Sequence, residues 1–334
     1  MKTLTVKSLK AIIGMIAFVA LLGLPQHLSA QALTAQLSDK EIPVSEYNSI
    51  DVSDDFEVTL ARGAYGVRLT VDKDLAPYVE VYVKAKTLFL SFDEKAVPKD
   101  IRKLYKGRNG LTPVFRVVAY TPDIHSITLD DNAVFIGVEE FVSSNFELTA
   151  GGKSQVKNLS VVAASAKISM KKNAQAVVSI RSDRGVEVAT ESNANLKLTA
   201  SGNELAIRSE GSSVVVASGP VHLVNVFSAG SSQVTLTSDT EKVDLTMEGS
   251  SKVVLTGKGD VLTVKGSRNS NLDAYSMPFE EVTADLAGSS NVTVSVAKKL
   301  DATLVGGSAL YYSGAPEFRI GKIVKSTLAP YGTK

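Results

Sequence analysis

The sequence predicts an all-β protein: a single-stranded, right-handed parallel β-helix with about 20 residues per coil and a less regular N-terminal β cap. Three observations lead there. A small polar cluster followed by an apolar residue recurs at a nearly constant interval along most of the chain. Within each interval apolar and polar residues alternate with period two, the mark of a strand with one buried face. The composition also disfavours other architectures. Of 334 residues none is Cys or Trp, 44% are hydrophobic and 21% charged, and Val, Ser, Leu, Thr and Gly displace the long helix formers.

The chain opens on an address. Lys2, Lys7 and Lys10 precede fourteen apolar residues, Ala11 to Leu24, which Pro25 ends. Leu28-Ser29-Ala30 then places small residues before Gln31. This is the pattern of a secretory signal peptide over residues 1–30. A membrane anchor is the alternative, but the stretch is short of the roughly 20 residues a span needs, and no Cys follows that could carry a lipid. Cleavage leaves 304 residues with 33 basic and 35 acidic side chains, and only His125 and His222 as histidines. No other segment approaches a spanning length, so no membrane span is expected after cleavage. A charge balance near zero argues against a nucleic-acid partner, which needs excess basic charge to displace counterions. Without Cys there is no disulfide framework, no Cys-ligated zinc and no thiol nucleophile.

Residues 31–125 form the expected irregular cap or first coils. Strand-like runs lie at Ser49–Val52, Phe56–Leu60, Val67–Val71, Val79–Val83 and Leu88–Phe92, off the twenty-residue period. A charged insertion, Asp93 to Pro113, carries Lys95, Lys99, Arg102, Lys103, Lys106 and Arg108. It reads as a solvated loop or short helix over the body, with a basic patch for acidic glycans as the functional alternative.

Residues 126–314 carry the regular repeats. The clusters end on apolar anchors at Val134, Val156, Val177, Leu196, Val214, Val234, Val253, Leu272, Val292 and Leu310. The intervals run from 18 to 22 residues. Gly152, Gly230, Gly249, Gly288 and Gly306 each lie four residues before an anchor, where the chain is expected to need positive φ. A propeller blade needs about 40 residues or more, and the Leu and Asn pattern of a leucine-rich repeat is missing. A coil of about 20 residues stacked on the next at about 4.8 Å fits best. Ser and Asn columns then line the turns, and the repeated G-S-S is turn chemistry rather than a phosphate cradle, since no helix follows it. Residues 315–334, with Pro316 and Pro330, form the expected C-terminal cap.

The opening Tyr47-Asn48-Ser49-Ile50-Asp51-Val52, the run Phe56-Glu57-Val58-Thr59-Leu60 and the later Leu88-Phe89-Leu90-Ser91-Phe92 resemble one known family. So do the serial G-S-S-x-V blocks and Tyr311-Tyr312-Ser313-Gly314-Ala315-Pro316. The chain is similar to the auto-transporter adhesin, head GIN domain proteins of Bacteroides-type bacteria, over roughly residues 47–316. The resemblance implies an exported β-helical protein and brings no catalytic or binding residues with it. The insertion at 93–113 is long beside the family pattern.

Catalytic equipment is sparse. His125 and His222 lack a GxSxG elbow or a neighbouring His, and no HExxH or EF-hand loop occurs. No cofactor or metal is expected. Carboxylates are the serious candidates. Glu147, Glu187, Asp244 and Asp301 fall nine residues before their anchors, in one outward column with Asn225, Thr263 and Thr283 between. They read as a solvated strand face. Asp123, Asp130 and Asp131 cluster near His125 in sequence. Two functions follow. One is an exported, non-catalytic adhesin-like or scaffold β-helix that presents repeated polar surfaces to a glycan or protein at the cell envelope. The other is a carbohydrate-active β-helix, a polysaccharide lyase or glycosidase, working through outward carboxylates.

Overall fold

The computed structural model describes residues 36–106 and 110–332; the expected leader and Arg108 lie outside the described residues. The chain is 68% strand and 3% helix, and winds into a parallel β-solenoid of about 11 turns with coils of about 19 residues.

The N-terminal region is the less regular part. Its strands are β1 (Leu37–Ile42), β2 (Ser49–Val52), β3 (Glu57–Arg62), β4 (Gly66–Asp72), β5 (Val79–Lys84) and β6 (Thr87–Phe92). A short helix α1 (Lys99–Leu104) precedes β7 (Phe115–Thr121), β8 (Ser126–Leu129) and β9 (Val134–Gly137). The five strand-like runs of the sequence are thus β2 to β6, and α1 lies within the described part of the charged insertion. Here β1, β4 and β7 pair antiparallel in that order, and β5 pairs antiparallel with β6.

From there the stack is parallel. On one face, termed the front, β6, β2 and β8 lie side by side, followed by segments 147–150, 166–170 and 186–190, and so on to 317–324. On the back face β7, β3 and β9 lead to 155–157, 175–178, 195–199 and onward to 327–330. Residues 317–330, inside the segment expected as a cap, are strands in parallel register on the coil before them.

Register corrects three anchors by one residue. Phe135 pairs with Val156, Val156 with Ala176, and Leu196 with Val215. Those three are buried, whereas Val134, Val177 and Val214 are partly or fully exposed. With Phe135, Ala176 and Val215 in place the intervals become 21, 20, 20, 19, 19, 19, 19, 20 and 18 residues. The physical ruler is the turn. Four residues before every corrected anchor sits a left-handed residue: Asp131, Gly152, Lys172, Ser192, Gly211, Gly230, Gly249, Arg268, Gly288 and Gly306, with φ between 55° and 77°. Glycine is the favoured occupant. At Gly249 a Cβ would also meet the Gly230 carbonyl oxygen at 2.7 Å. Asp131, Lys172, Ser192 and Arg268 hold the same conformation at a cost of about 1–2 kcal/mol each.

The two serines of each G-S-S block part company. The second points inward: Ser213, Ser232, Ser251 and Ser290 are buried, as are Ser154, Ser270 and Ser308 at the same position. Three of these hydroxyls bond to a carbonyl of their own turn. Ser154 Oγ donates to Gly151 O at 2.7 Å, Ser213 Oγ to Glu210 O at 2.8 Å and Ser290 Oγ to Ala287 O at 2.6 Å. Where the residue four before is also a serine, the bonds extend along the stack. Ser232 Oγ lies 2.8 Å from Ser228 Oγ and donates to Ser209 O at 3.0 Å. One coil on, Met247 replaces the serine, and Ser251 Oγ is buried without a partner among the described residues. Truncating a hydrogen-bonded hydroxyl costs about 0.5–1.5 kcal/mol, while an unpaired one contributes nothing to lose. Ser232→Ala is therefore expected to lower the midpoint of urea unfolding, and Ser251→Ala to leave it unchanged or raise it.

The interior is filled by Val, Leu, Ile and Ala, with aromatics concentrated at the N-terminal end, where Tyr47, Phe56, Phe135, Phe141 and Phe146 are buried. Burying each Val, Leu, Ile or Phe side chain contributes about 1.5–3 kcal/mol. Tyr47 donates its hydroxyl to Tyr120 O at 2.7 Å, and burial raises its pKa far above that of a free phenol. Tyr105, after α1, is pushed up to about 12, by burial first and then by Asp72 and Asp74. The folded chain thus keeps phenol protons that the unfolded chain releases near pH 10. Stability is expected to be complete below pH 10 and to fall as pH rises toward 12. Tyr105→Phe is expected to flatten that decline in a pH series of thermal midpoints.

Candidate functional site

Corrected anchors rebuild the outward column. Nine residues before each, and in register on the front face, stand Ser126, Glu147, Lys167, Glu187, Ala206, Asn225, Asp244, Thr263, Thr283 and Asp301, followed by Arg319. The four acids expected in one column are there. Lys167, between Glu147 and Glu187, is the residue that sequence reasoning missed, because counting back from Val177 instead of Ala176 passes over it.

This face is hollowed. Three depressions of about 710, 370 and 560 Å³ follow one another down it, around Glu147–Glu187, Arg208–Asp244 and Thr263–Arg319. The first two share Glu187 and Ala206. The widest is bounded by His125, Asn145 and Ser165, where Ser165 Oγ donates to Asn145 Oδ1 at 2.6 Å, and by Arg184 and Glu204. Asn225 Nδ2 holds Glu204 at 2.7 Å. In the second, the Arg208 guanidinium lies 4.3 Å from the centre of the Phe227 ring. The lower acids are tied to lysines of their own strands: Lys242 to Asp244 at 2.7 Å and Lys299 to Asp301 at 3.0 Å. Glu147 and Glu187 belong to alternate coils, about 9.6 Å apart by two strand spacings. That lies beyond the about 5–5.5 Å of a retaining glycosidase pair and at the outer limit of the inverting range, with Lys167 between. The arrangement presents an open trough in which charge alternates over Glu147, Lys167 and Glu187 and neutral side chains hold most of the other positions.

The cluster around His125 is divided. His125 Nε2 lies 3.7 Å from Asp123 Oδ2, and its Nδ1 3.2 Å from Asn48 Nδ2, at the mouth of the trough. Asp130 and Asp131 belong to the turn column instead, Asp130 reaching Lys172 Nζ at 3.5 Å. His222 is exposed and pairs with Glu241 at 3.0 Å. Among the described residues no group of three or more His, Cys, Asp or Glu side chains has the geometry to hold a metal ion. No helix among them is long and apolar enough to cross a membrane.

The family described as "Putative auto-transporter adhesin, head GIN domain" matches residues 46–219 and 222–316. The chain belongs to this family. Solved structures similar to the chain include a putative adhesin from Parabacteroides distasonis ATCC 8503, 18% identical, with 89% of this chain and 97% of that one covered and a TM-score of 0.37. A putative adhesin from Parabacteroides merdae ATCC 43184 is 17% identical, with 88% and 96% covered and the same TM-score, 0.37. A putative lipid binding protein from Parabacteroides distasonis ATCC 8503 is 16% identical, covers 88% and 96%, and has a TM-score of 0.29. No curated protein matches the chain.

Lys167 separates the carboxylates of Glu147 and Glu187 on the coils to either side. Lys167→Glu sets three carboxylates on successive coils, and directly opposed like charges are destabilising by up to about 1 kcal/mol. The variant is expected to unfold at lower denaturant than the wild type at low salt, with the gap closing in 1 M NaCl, where screening is short-ranged at about 3 Å.

Proposed function

We propose that the chain is an exported, non-catalytic adhesin-like scaffold of this head GIN domain family, presenting its front-face trough to a glycan or protein at the cell envelope. The observation that carries the reading is the trough itself. It runs along equivalent positions of successive coils and is lined with a mixture of charged, amide and hydroxyl groups. Such a surface engages an extended partner through many shallow contacts, and avidity then comes from their number. The leader-like residues 1–30 support export to the periplasm, the outer surface or the medium. Membership of an adhesin-described family supports binding over turnover.

The test is a screen of the full chain against glycan arrays and extracellular-matrix proteins, with product analysis of each ligand. Binding without cleavage is expected, weakened about tenfold or more in a Glu147→Ala/Lys167→Ala/Glu187→Ala variant. Cleavage that stops on replacing one of those acids overturns the non-catalytic reading in favour of a carbohydrate-active enzyme.

A further inference from the structure

The two ends of the front face carry edges that fit one another. At the C-terminal end the strand Glu317–Val324 pairs with the coil before it, and all eight of its residues are exposed. Among the described residues no strand pairs with its other edge. Phe318, Ile320 and Ile323 continue the inward column of Leu300, Ala302 and Leu304, while Glu317, Arg319 and Lys322 face outward. Gly321 is an extra residue between Ile320 and Lys322. No Pro and no inward charge blunts this edge, as natural sheets ordinarily arrange. At the N-terminal end the front face finishes on β5. Val79, Val81 and Val83 stand opposite Phe92, Leu90 and Leu88 and cover the core there, yet stay only half-buried. Glu80, Tyr82 and Lys84 face outward, Tyr82 stacked on Phe89 at 5.1 Å.

Main-chain direction decides whether two such edges can pair. In this stack the inward residues turn their N–H and C=O toward the next coil, as when Ser228 O accepts Glu248 N at 2.9 Å. Val324 turns its carbonyl back to Gly306 N at 3.1 Å, so by alternation Ile323, Ile320 and Phe318 present theirs to the open edge. On β5, Tyr78 O accepts Asp93 N at 2.9 Å. Glu80, Tyr82 and Lys84 therefore address β6, and the three valines address the open side. Because β5 runs against the parallel stack, a second copy placed head to tail sets it antiparallel to Glu317–Val324. With Phe318 opposite Val83, the other pairs are Glu317–Lys84, Arg319–Tyr82, Ile320–Val81, Lys322–Glu80 and Ile323–Val79, and Gly321 stays outside the register as it does against its own coil. Apolar residues meet on the inner face, where they are the hydrogen-bonded pairs. On the outer face each acid meets a base and Arg319 meets an aromatic ring.

We infer that the strand Glu317–Val324 docks on β5 of a second copy of this chain, so that the protein assembles head to tail with its front sheet continuous from copy to copy. Pairing of the C-terminal strand with itself about a two-fold axis is the poorer solution. Every such register longer than three residues opposes Arg319 or Lys322 to another cation. The back edges are blunted: Lys40 of β1 stands opposite the buried Leu69, and Pro330 has no N–H to offer. Beyond the first coil the back face carries β7, β4 and β1, the front face only β6 and β5. Successive copies therefore tilt about the strand direction. A head-to-tail contact leaves one edge unused at each end, and so yields an open filament unless the tilt closes it into a ring. Assembly engages the ends of the front face and does not rest on the trough having a ligand.

The experiment is sedimentation velocity and electron microscopy of the full chain over a concentration series. A ladder of species that lengthens with concentration is expected, each one chain wide. Ile320→Lys spoils the C-terminal edge alone and Val81→Lys the N-terminal edge alone. Each variant is expected to remain monomeric, and an equimolar mixture of the two to form a dimer and nothing longer. Glu317→Lys and Lys84→Glu change exposed side chains. Each is expected to weaken association several-fold with an unchanged thermal midpoint, and the double variant to regain it. This charge pair decides the matter even where a lysine within β5 unfolds the variant. A monomer at every concentration, dimers of either lysine variant alone, assembly unaltered by Ile320→Lys, or no recovery in the double charge variant overturns the assignment.

Discussion

Everything in this solenoid depends on each coil closing on a constant length, so that its main-chain groups meet those of the coil below. The turns carry that requirement most visibly. The shortest bonds of their amides run vertically, from coil to coil: Ser231 N to Gly211 O and Ser250 N to Gly230 O, each at 2.7 Å, and Asn193 N to Lys172 O at 2.8 Å. A left-handed residue at one fixed position orients the peptide for that bond. This explains why the conformation persists at Lys172, Ser192 and Arg268, where no glycine relieves it. An unmade main-chain bond in every coil costs more than one strained φ.

Once the turns are fixed, inside and outside follow by parity. The residue two before each anchor must be small enough to pass beneath the turn, so it is Ser or Ala in every coil from Ala133 to Ser308. The inward columns repeat because each side chain packs on its own equivalents. The outward columns have no such obligation. Down a single front-face column the chemistry runs Ser126, Glu147, Lys167, Glu187, Ala206, Asn225. Variation confined to one side of a uniform frame is how such a fold acquires a distinct surface without risking its core.

Much of this was legible in the residues. The period, the alternation and the turn glycines announced the solenoid, and the four acids of the front column were placed together. Errors arose where local hydrophobicity competed with the turn. In DDNAVF the first large hydrophobe, Val134, is not the anchor, and in KNAQAV the small Ala176 takes the inward place that Val177 suggested for itself. Only the left-handed residue, Asp131 or Lys172, marks the register there; aspartate signals positive φ far more weakly than glycine, and lysine not at all. Concavity of the front face was beyond reach: register shifts between Ala163 and Ser165 and between Ser182 and Val186 border its widest depression, and residue types alone do not announce them.

The last described coil measures what stacking contributes. Leu300 and Ala302 have a coil on either side and are 0% and 2% exposed, whereas Phe318 and Ile320, their register partners in the next layer, are 43% and 44% exposed. The sequence pattern of 317–324 matches that of the coils beneath it, and so does its main-chain pairing on one side. What differs is the missing neighbour. Burial is therefore supplied layer by layer, each coil covering the columns of the one before, and stability grows as a sum of adjacent contacts rather than from one central core. The aromatic-rich N-terminal region stands outside that rule. There Tyr47, Phe56 and Phe115 pack across antiparallel and parallel strands together, which gives the stack an end whose inward columns are closed by its own chain.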